Sequence, residues 1–233
     1  MNEGSPLAKA LMRHVLVGPP LRLATRMRVE GRQHVPPTGP LIVASNHLSF
    51  VDSMVIPLAS KRTVHFLGKS EYFEGAGLKG RFVAAFHQAG GTIPVDRSDP
   101  RAAAESLRIA EDIVRRGGAF GIYPEGTRSP DGRLHRGRTG VARLAVATGA
   151  SVVPCAVIGT NHVQPPGSNT FRPAKVIVRF GPPIDTEGLA RRYHKGALLR
   201  AITDEVMDAI AAMSGQERSG RYASDVKAEL SSM

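Results

Sequence analysis

Leu41-Ile42-Val43-Ala44-Ser45-Asn46-His47-Leu48-Ser49-Phe50-Val51-Asp52 is a stretch in which an apolar run meets a polar sequence. The run at residues 41–44 predicts a short buried strand. His47 and Asp52 lie five positions apart, which would leave their side chains about 140° apart on a helix and on opposite faces of a strand. A strand end, a turn and a helix start could bring them together, so the stretch predicts a strand–turn–helix unit.

The pairing of a histidine with an aspartate has a clear chemical use. The carboxylate of Asp52 would fix the tautomer of His47 and stabilise its protonated ring, while the other ring nitrogen takes a proton from a hydroxyl. The alternative is a helix N-cap region that happens to contain a histidine. The spacing alone leaves both interpretations open.

Apolar patterning along the rest of the chain alternates between strands and helices. The predicted strands are 27–31, 41–44, 64–69, 92–97, 119–123, 151–158 and 175–180. The predicted helices are 52–60, 77–88, a helix capped by Asp99 and ended by Gly117-Gly118, 140–148 and 186–213. This alternation predicts an α/β layered domain with a central mixed, largely parallel sheet flanked by helices.

The two ends of the chain differ from its middle. Residues 1–26 contain two predicted short helices, at 5–17 and 21–27, which combine basic and apolar residues. This helical hairpin would either anchor the protein to a membrane surface or cap the core. Residues 27–213 form the predicted main domain, and we expect the Ser- and Gly-containing tail at 214–233 to be partly disordered.

The composition limits the classes of partner that the protein could bind. The 233-residue chain has a net charge of +11, and 42% of its residues are hydrophobic, enough for a core. The charge favours a polyanionic partner: nucleic acid, an anionic bilayer or a phosphorylated substrate. The chain has no tryptophan and no nucleic-acid-binding motif, so we expect no nucleic-acid partner. The single cysteine, Cys155, fits a reducing compartment and a place in the core.

Three further patterns are missing from the sequence. No stretch reaches the ~18 apolar residues of a transmembrane helix, and the N-terminus lacks a signal-peptide pattern. The histidines are scattered, without the spacing of a zinc site. We therefore expect neither a spanning helix nor export, and we predict no metal and no cofactor.

Polar residues follow the ends of three predicted strands, at 47–52, 93–97 and 123–129. If the strands share a sheet, these segments converge on one cleft. The first supplies a base, and the other two supply the guanidinium groups of Arg97 and Arg128, which suit a phosphate. The combination indicates activation of an alcohol on a phosphorylated acceptor. The alternatives are solvated surface charges for the arginines and a plain ion pair for Glu125.

Four blocks of the sequence form a pattern in a fixed order. The blocks are Asn46-His47-x-Ser49-x-x-Asp52, Gly91-Thr92-Ile93-Pro94-Val95-Asp96-Arg97, Tyr123-Pro124-Glu125-Gly126-Thr127-Arg128-Ser129 and Val152-Val153-Pro154. Four blocks in this order are far more specific than any one of them. Together they resemble the glycerophospholipid acyltransferase family, which includes the 1-acyl-sn-glycerol-3-phosphate acyltransferases, and the resemblance covers residues 29–184.

The resemblance implies roles for particular residues. It implies that His47 and Asp52 are the catalytic dyad. Residues of the second and third blocks are implied to bind the glycerophosphate of the acceptor, with Lys69 corresponding to a basic residue common between the first two blocks. These predicted binding residues are Lys69, Arg97, Glu125, Gly126, Thr127 and Arg128. The sequence departs from many relatives at 134–140, where an aromatic residue and a lysine usually precede a glycine.

The reaction that the resemblance implies is direct transfer of a fatty acyl group from acyl-CoA, or from acyl carrier protein, to a hydroxyl of lysophosphatidic acid. Glycerol 3-phosphate or another lysophospholipid would use the same residues. We expect a peripheral enzyme on the anionic, cytoplasmic surface of the cell membrane. The rival of another class is a basic peripheral membrane-binding protein without catalysis.

Overall fold

The computed structural model describes residues 18–69, 91–95, 102–165, 168 and 170–232. These ranges contain seven strands in one sheet, eight helices and a short 3-10 turn at Arg32–His34. The helices predicted at 5–17 and 77–88 lie outside the described residues, as does the predicted cap Asp99.

The strands of the sheet are β1 Arg28–Glu30, β2 Leu41–Ser45, β3 Val64–Lys69, β4 Thr92–Val95, β5 Ala119–Ile122, β6 Ser151–Ile158 and β7 Ile177–Phe180. Their order is β1-β7-β6-β2-β5-β3-β4. Every neighbouring pair is parallel except β6 and β7, so the predicted mixed, largely parallel sheet is confirmed.

Helices cover both faces of the sheet. They are α1 Gly18–Thr25, α2 Asp52–Ser60, α3 Ala102–Arg115, α4 Gly140–Thr148, α5 Thr160–Val163, α6 Thr186–Arg192, α7 Lys195–Ser214 and α8 Ala223–Ser231. The bounds of α2 and α4 agree with the prediction, and the region predicted to be mostly helical at 186–213 contains α6 and α7. Tyr193 and His194 separate these two helices because both adopt extended backbone angles.

Strand β2 shows how the core is divided. Its residues are fully buried, and successive side chains point to opposite faces of the sheet. Leu41 and Val43 join a cluster that includes Val55 of α2. Ile42 and Ala44 join the cluster on the other face, where α3, α4 and α7 pack. A strand buried on both faces reads as a continuous apolar run, which explains the sequence 41–44.

The parallel strands direct several loops to one edge of the sheet. Strands β6, β2, β5, β3 and β4 run in the same direction, so their carboxyl ends lie together. The segment containing His47 follows β2, and residues 123–129 follow β5. Lys69, the last residue of β3, pairs with Val95 of β4. This is the edge at which ligands bind in open α/β sheets.

The region at 214–233, predicted to be partly disordered, contains a further helix. Residues 223–231 form α8, which buries Ala223 and Val226, and the main chain between α7 and α8 bonds to residues 134–136. These contacts join residues distant in sequence, so local composition did not reveal them.

Candidate active site

His47 and Asp52 meet at the carboxyl end of β2. Asp52 Oδ2 lies 2.8 Å from His47 Nδ1, and Asp52 is fully buried whereas 17% of the His47 side chain is exposed. Nε2 of His47 makes no hydrogen bond with any described residue. The pair therefore presents one ring nitrogen to the carboxylate and leaves the other available to a ligand.

The local backbone explains how the two side chains meet. The same Asp52 Oδ2 accepts the backbone N–H groups of Leu48, at 2.7 Å, and Ser49, at 2.8 Å. Asp52 is the first residue of α2, so its side chain reaches back over the turn that leads into the helix. Ser49 closes the turn by accepting the N–H of Asp52 at 3.2 Å. The predicted strand–turn–helix unit is confirmed.

An aromatic ring supports the imidazole from the neighbouring strand. The rings of Tyr123 and His47 stack with centroids 3.8 Å apart and an interplanar angle of 6°. Tyr123 in turn stacks on Phe66 of β3, and its hydroxyl lies 2.8 Å from Ser53 Oγ. Sequence reasoning assigned Tyr123 no role. The signal was present, because Tyr123 directly follows β5 in the third block.

Glu125 joins two loops through backbone hydrogen bonds. Its Oε1 accepts the backbone N–H of His47 at 3.0 Å, and its Oε2 accepts that of His135 at 2.9 Å. The carboxyl group is buried, and this burial raises its pKa to about 7 even though the two N–H donors oppose the shift. Glu125 therefore fixes the backbone N–H of His47, and its predicted contact with the acceptor stays a prediction.

The remainder of the third block forms a turn at the surface. The N–H of Gly126 bonds to the carbonyl of Tyr123 at 2.9 Å, and Gly126 has a φ of 78°, which glycine tolerates best. Arg128 is half-buried and makes no ion pair with the described residues. Ser129 donates its N–H to the carbonyl of His47 at 2.8 Å. The turn thus lies directly beside the catalytic candidates.

The structure brings together His47, Asp52, Glu125 and the turn that contains Gly126, Thr127 and Arg128. Arg97 lies outside the described residues, so its place in the site stays a prediction. Lys69 ends β3 at the same edge of the sheet, and its contact with an acceptor also stays a prediction. Among the described residues, no group of three or more His, Cys, Asp or Glu side chains is arranged to hold a metal ion.

A cavity of about 370 Å³ lies at the end of β6, and its lining includes Leu48, the residue that follows His47. Leu48 and Val157 supply apolar surface, and Asn161, Lys175 and Gln216 supply polar groups. The sequence contains no local signal for this cavity, because its lining residues are spread from Leu48 to Gln216 along the chain.

A histidine oriented by a buried carboxylate, at the carboxyl edge of a mostly parallel sheet, defines an α/β protein equipped for general-base chemistry on a hydroxyl. The comparisons with known proteins name the family. A family model described as Acyltransferase matches residues 26–158. The chain belongs to this acyltransferase family.

Individual relatives agree with this assignment. The chain is 31% identical to the chloroplastic 1-acyl-sn-glycerol-3-phosphate acyltransferase LPAT1 of Arabidopsis thaliana, over 61% of this chain and 39% of that protein. It is 27% identical to 1-acyl-sn-glycerol-3-phosphate acyltransferase of Borreliella burgdorferi, over 77% of this chain and 69% of that protein. The chain therefore spans well under half of the plant protein.

A solved structure supports the fold over most of the chain. The crystal structure of PlsC, the 1-acyl-sn-glycerophosphate acyltransferase of Thermotoga maritima, superimposes with a TM-score of 0.66. The two sequences are 25% identical, and the match covers 88% of this chain and 79% of that chain. Within the part of this chain that the structure describes, no helix combines the length and hydrophobicity needed to cross a bilayer.

Proposed function

We propose that this protein transfers a fatty acyl group from acyl-CoA to the free hydroxyl of lysophosphatidic acid, giving phosphatidic acid in phospholipid biosynthesis. The observation that carries the proposal is the arrangement of His47: Nδ1 lies 2.8 Å from a buried carboxylate, whereas Nε2 makes no hydrogen bond with the described residues. The names of the relatives supply the choice of acceptor.

The chemical step follows from this arrangement. Asp52 holds the proton of His47 on Nδ1, so Nε2 is the basic nitrogen and takes the proton from the acceptor hydroxyl. The hydroxyl oxygen attacks the thioester carbon, and the carbonyl oxygen gains a negative charge. When this intermediate collapses, the carbon–sulfur bond breaks, the ester remains on the acceptor and the CoA thiolate leaves to be protonated. No acyl-enzyme forms, and no metal or cofactor takes part.

The negative charge on the intermediate needs hydrogen-bond donors. The backbone N–H groups of His47, Leu48 and Ser49 already donate to the carboxylates of Glu125 and Asp52. In the third block, the N–H groups of Thr127 and Arg128 make no hydrogen bond with the described residues. We therefore assign the stabilisation of the oxyanion to the third block.

The acceptor's phosphate needs positive charge near the same place. Arg128 has no carboxylate partner among the described residues and lies three positions from Glu125 in the turn beside His47. A guanidinium without an internal ion pair suits bidentate binding of a phosphate. We propose that Arg128 binds the phosphate of the acceptor, together with Arg97 as the family resemblance implies.

The test is an assay of the purified protein with lysophosphatidic acid and a long-chain acyl-CoA. Thiol release should depend on the acceptor, and mass spectrometry should identify phosphatidic acid. His47→Ala should lower kcat by at least about 100-fold without unfolding the protein. Parallel assays should replace the acceptor with glycerol 3-phosphate or other lysophospholipids, and the donor with acyl carrier protein. If no combination of donor and acceptor gave acceptor-dependent thiol release, the proposed function would be wrong and the non-catalytic membrane-binding alternative would be favoured.

We also propose that the enzyme acts at an anionic, cytoplasmic membrane surface as a peripheral protein. The net charge of +11 supports this, as does the exposure of Leu23 on α1, because an interfacial helix needs both cations and apolar side chains. Its lipid acceptor would then be reached from the membrane surface.

A further inference from the structure

The main chain between α7 and α8 passes directly beside the candidate active site. Helix α7 ends at Ser214, and Gly215, with a φ of 69°, turns the chain away from the helix axis. Residues 216–221, which we call the C-terminal segment, then run alongside residues 132–136 in space. The family model matches only residues 26–158, so the C-terminal segment lies outside it.

Backbone hydrogen bonds fix the C-terminal segment to residues 134–136. The N–H of Leu134 bonds to the carbonyl of Glu217 at 2.8 Å, and the carbonyl of Leu134 accepts the N–H of Ser219 at 3.0 Å. The N–H of Arg136 bonds to the carbonyl of Arg221 at 2.8 Å. Within this pairing Leu134 and Arg218 form one isolated parallel bridge, and the hydrogen bonds on both sides of residue 135 fix where it presents its own N–H.

The first connection to the active site runs through His135. Its N–H bonds to Glu125 Oε2 at 2.9 Å, and Glu125 Oε1 accepts the N–H of His47 at 3.0 Å. The buried ring of His135 is held at both nitrogens: Nδ1 lies 2.8 Å from Ser219 Oγ, and Nε2 lies 2.9 Å from Asp131 Oδ1. The C-terminal segment is therefore joined to the backbone of His47 through one buried carboxylate.

The second connection is the amide of Gln216. Its Oε1 accepts Asn46 Nδ2 at 2.7 Å, and its Nε2 donates to the carbonyl of Gly132 at 2.7 Å. Asn46 immediately precedes His47 and is itself buried, with both ends of its amide bonded to the backbone of Val157. Gln216 thus joins the first block to the loop that follows the third block.

We propose that the C-terminal segment is a positioning element of the active site, with Gln216 as its principal positioning residue. Neither connection places a group of the segment on the reacting atoms. The first acts on the backbone N–H of His47 through Glu125, and the second acts on the side-chain amide of Asn46, the residue before it. A misplacement of about 1 Å can cost about 100-fold in rate, so two hydrogen bonds at this position can govern kcat without contributing to substrate binding. The expected effect on kcat rests on the proposed acyl transfer.

The experiment compares two variants that carry the same chemical change. Gln216→Leu removes both amide hydrogen bonds, and Gln33→Leu makes the same change at an exposed position in the 3-10 turn. We expect Gln216→Leu to lower kcat by about 10- to 100-fold with KM within about twofold, and Gln33→Leu to retain wild-type kcat. Gln216→Glu keeps the acceptor for Asn46 and should recover part of the loss.

A second readout does not depend on turnover. In protein with isotope-labelled histidine, the His47 ring signals, assigned by their loss in His47→Gln, should shift in Gln216→Leu and stay in place in Gln33→Leu. Unchanged ring signals together with wild-type kcat in Gln216→Leu would overturn the inference. If the wild type transfers no acyl group, the proposed function fails, while the ring signals still decide whether Gln216 positions His47.

If Gln216→Leu does not fold, two variants of Ser219 take its place in the experiment. Ser219→Ala removes the hydroxyl that contacts His135 Nδ1, and Ser219→Thr keeps a hydroxyl at the same position. The alanine variant should have a lower kcat and shifted His47 ring signals, and the threonine variant should restore both. Wild-type kcat and signals in both variants would contradict the inference.

Discussion

At the scale of single residues, the site is controlled by carboxylates that are out of contact with solvent. Asp52 uses one oxygen for three donors, His47 Nδ1 and the N–H groups of Leu48 and Ser49. Its other oxygen, Oδ1, is buried and has no hydrogen-bond partner among the described residues. The same oxygen of Asp52 therefore stabilises the turn and orients the imidazole.

Asp52→Asn tests the charge of this residue at nearly constant size. If the amide oxygen takes the position of Oδ2, the amide NH₂ takes the position of Oδ1, which has no hydrogen-bond partner among the described residues. The protonated ring of His47 also loses the negative charge that stabilises it. We expect kcat to fall by at least about 100-fold with little change in KM, measured by thiol release. Asp112→Asn, on the exposed surface of α3, is the matched control. Equal kcat in the two variants would contradict the assigned role.

Glu125 makes stability depend on pH. Burial raises its pKa in the folded protein to about 7 from an ordinary 4.5. Between about pH 4.5 and about pH 7 the folded state therefore binds more protons than the unfolded state, so the free energy of unfolding falls as pH rises through this window. The full effect is on the order of 3 kcal/mol.

Urea unfolding of the wild type and Glu125→Gln across this pH window measures the contribution. The wild type should lose stability with rising pH more steeply than Glu125→Gln, whose side chain does not titrate. The comparison concerns the slope, because the glutamine also changes one of the two backbone hydrogen bonds. Glu205→Gln, at an exposed position on α7, should keep the wild-type slope. Parallel slopes in all three proteins would exclude Glu125 as the source.

At the scale of elements, neighbouring strands support the imidazole through a stack of rings. Phe66 of β3 stacks on Tyr123 at the end of β5, and Tyr123 stacks on His47 at the end of β2. Gly121 of β5 leaves the space that Phe66 fills, since a Cβ atom at that position would overlap the ring. The position of the base therefore depends on close packing between β3 and β5.

Gly121→Ala tests this packing. The added methyl group should displace the buried Phe66 ring, lower the free energy of unfolding by about 1–3 kcal/mol and reduce kcat through the stack. Chemical unfolding and the thiol assay measure the two effects. The double variant Gly121→Ala/Phe66→Leu makes room for the methyl group and should recover part of the stability. A double variant less stable than expected from the sum of the two single changes would contradict the explanation.

At the scale of the whole molecule, charge and exposed apolar groups predict binding to a bilayer. The net charge of +11 should favour anionic over neutral liposomes, and salt should weaken the interaction because it screens exposed charges. Helix α1 is held to the domain by Arg22, which donates to the carbonyl of Leu58 at 3.0 Å. Leu23, on the same helix, is 82% exposed.

Leu23→Glu should weaken sedimentation with anionic liposomes, since it replaces an apolar contact with a negative charge without disturbing the core. Leu230→Glu on α8, also exposed, is the matched control and should bind as the wild type does. Deleting residues 1–26 should reduce binding as well, and deleting residues 1–17 tests that part while keeping α1. Full binding by every one of these variants would place the membrane contact elsewhere.

The sequence by itself determined the elements and the chemical types at the site. The apolar run at 41–44 predicted a buried strand. A pairing of His47 with Asp52 required a turn between a strand and a helix, because neither regular element brings residues at this spacing together. The order of the blocks was enough to indicate the family. These features are local, and local backbone preferences and periodicity carry them.

Only the tertiary structure decided which groups serve the base from a distance. Glu125 was predicted to contact the acceptor, and that contact stays a prediction; its hydrogen bonds to the N–H groups of His47 and His135 were not predicted. The role of Gln216 depends on a chain that returns 170 residues after Asn46. Such contacts follow from how the sheet and its loops pack in three dimensions, and no short-range pattern in a single sequence encodes them.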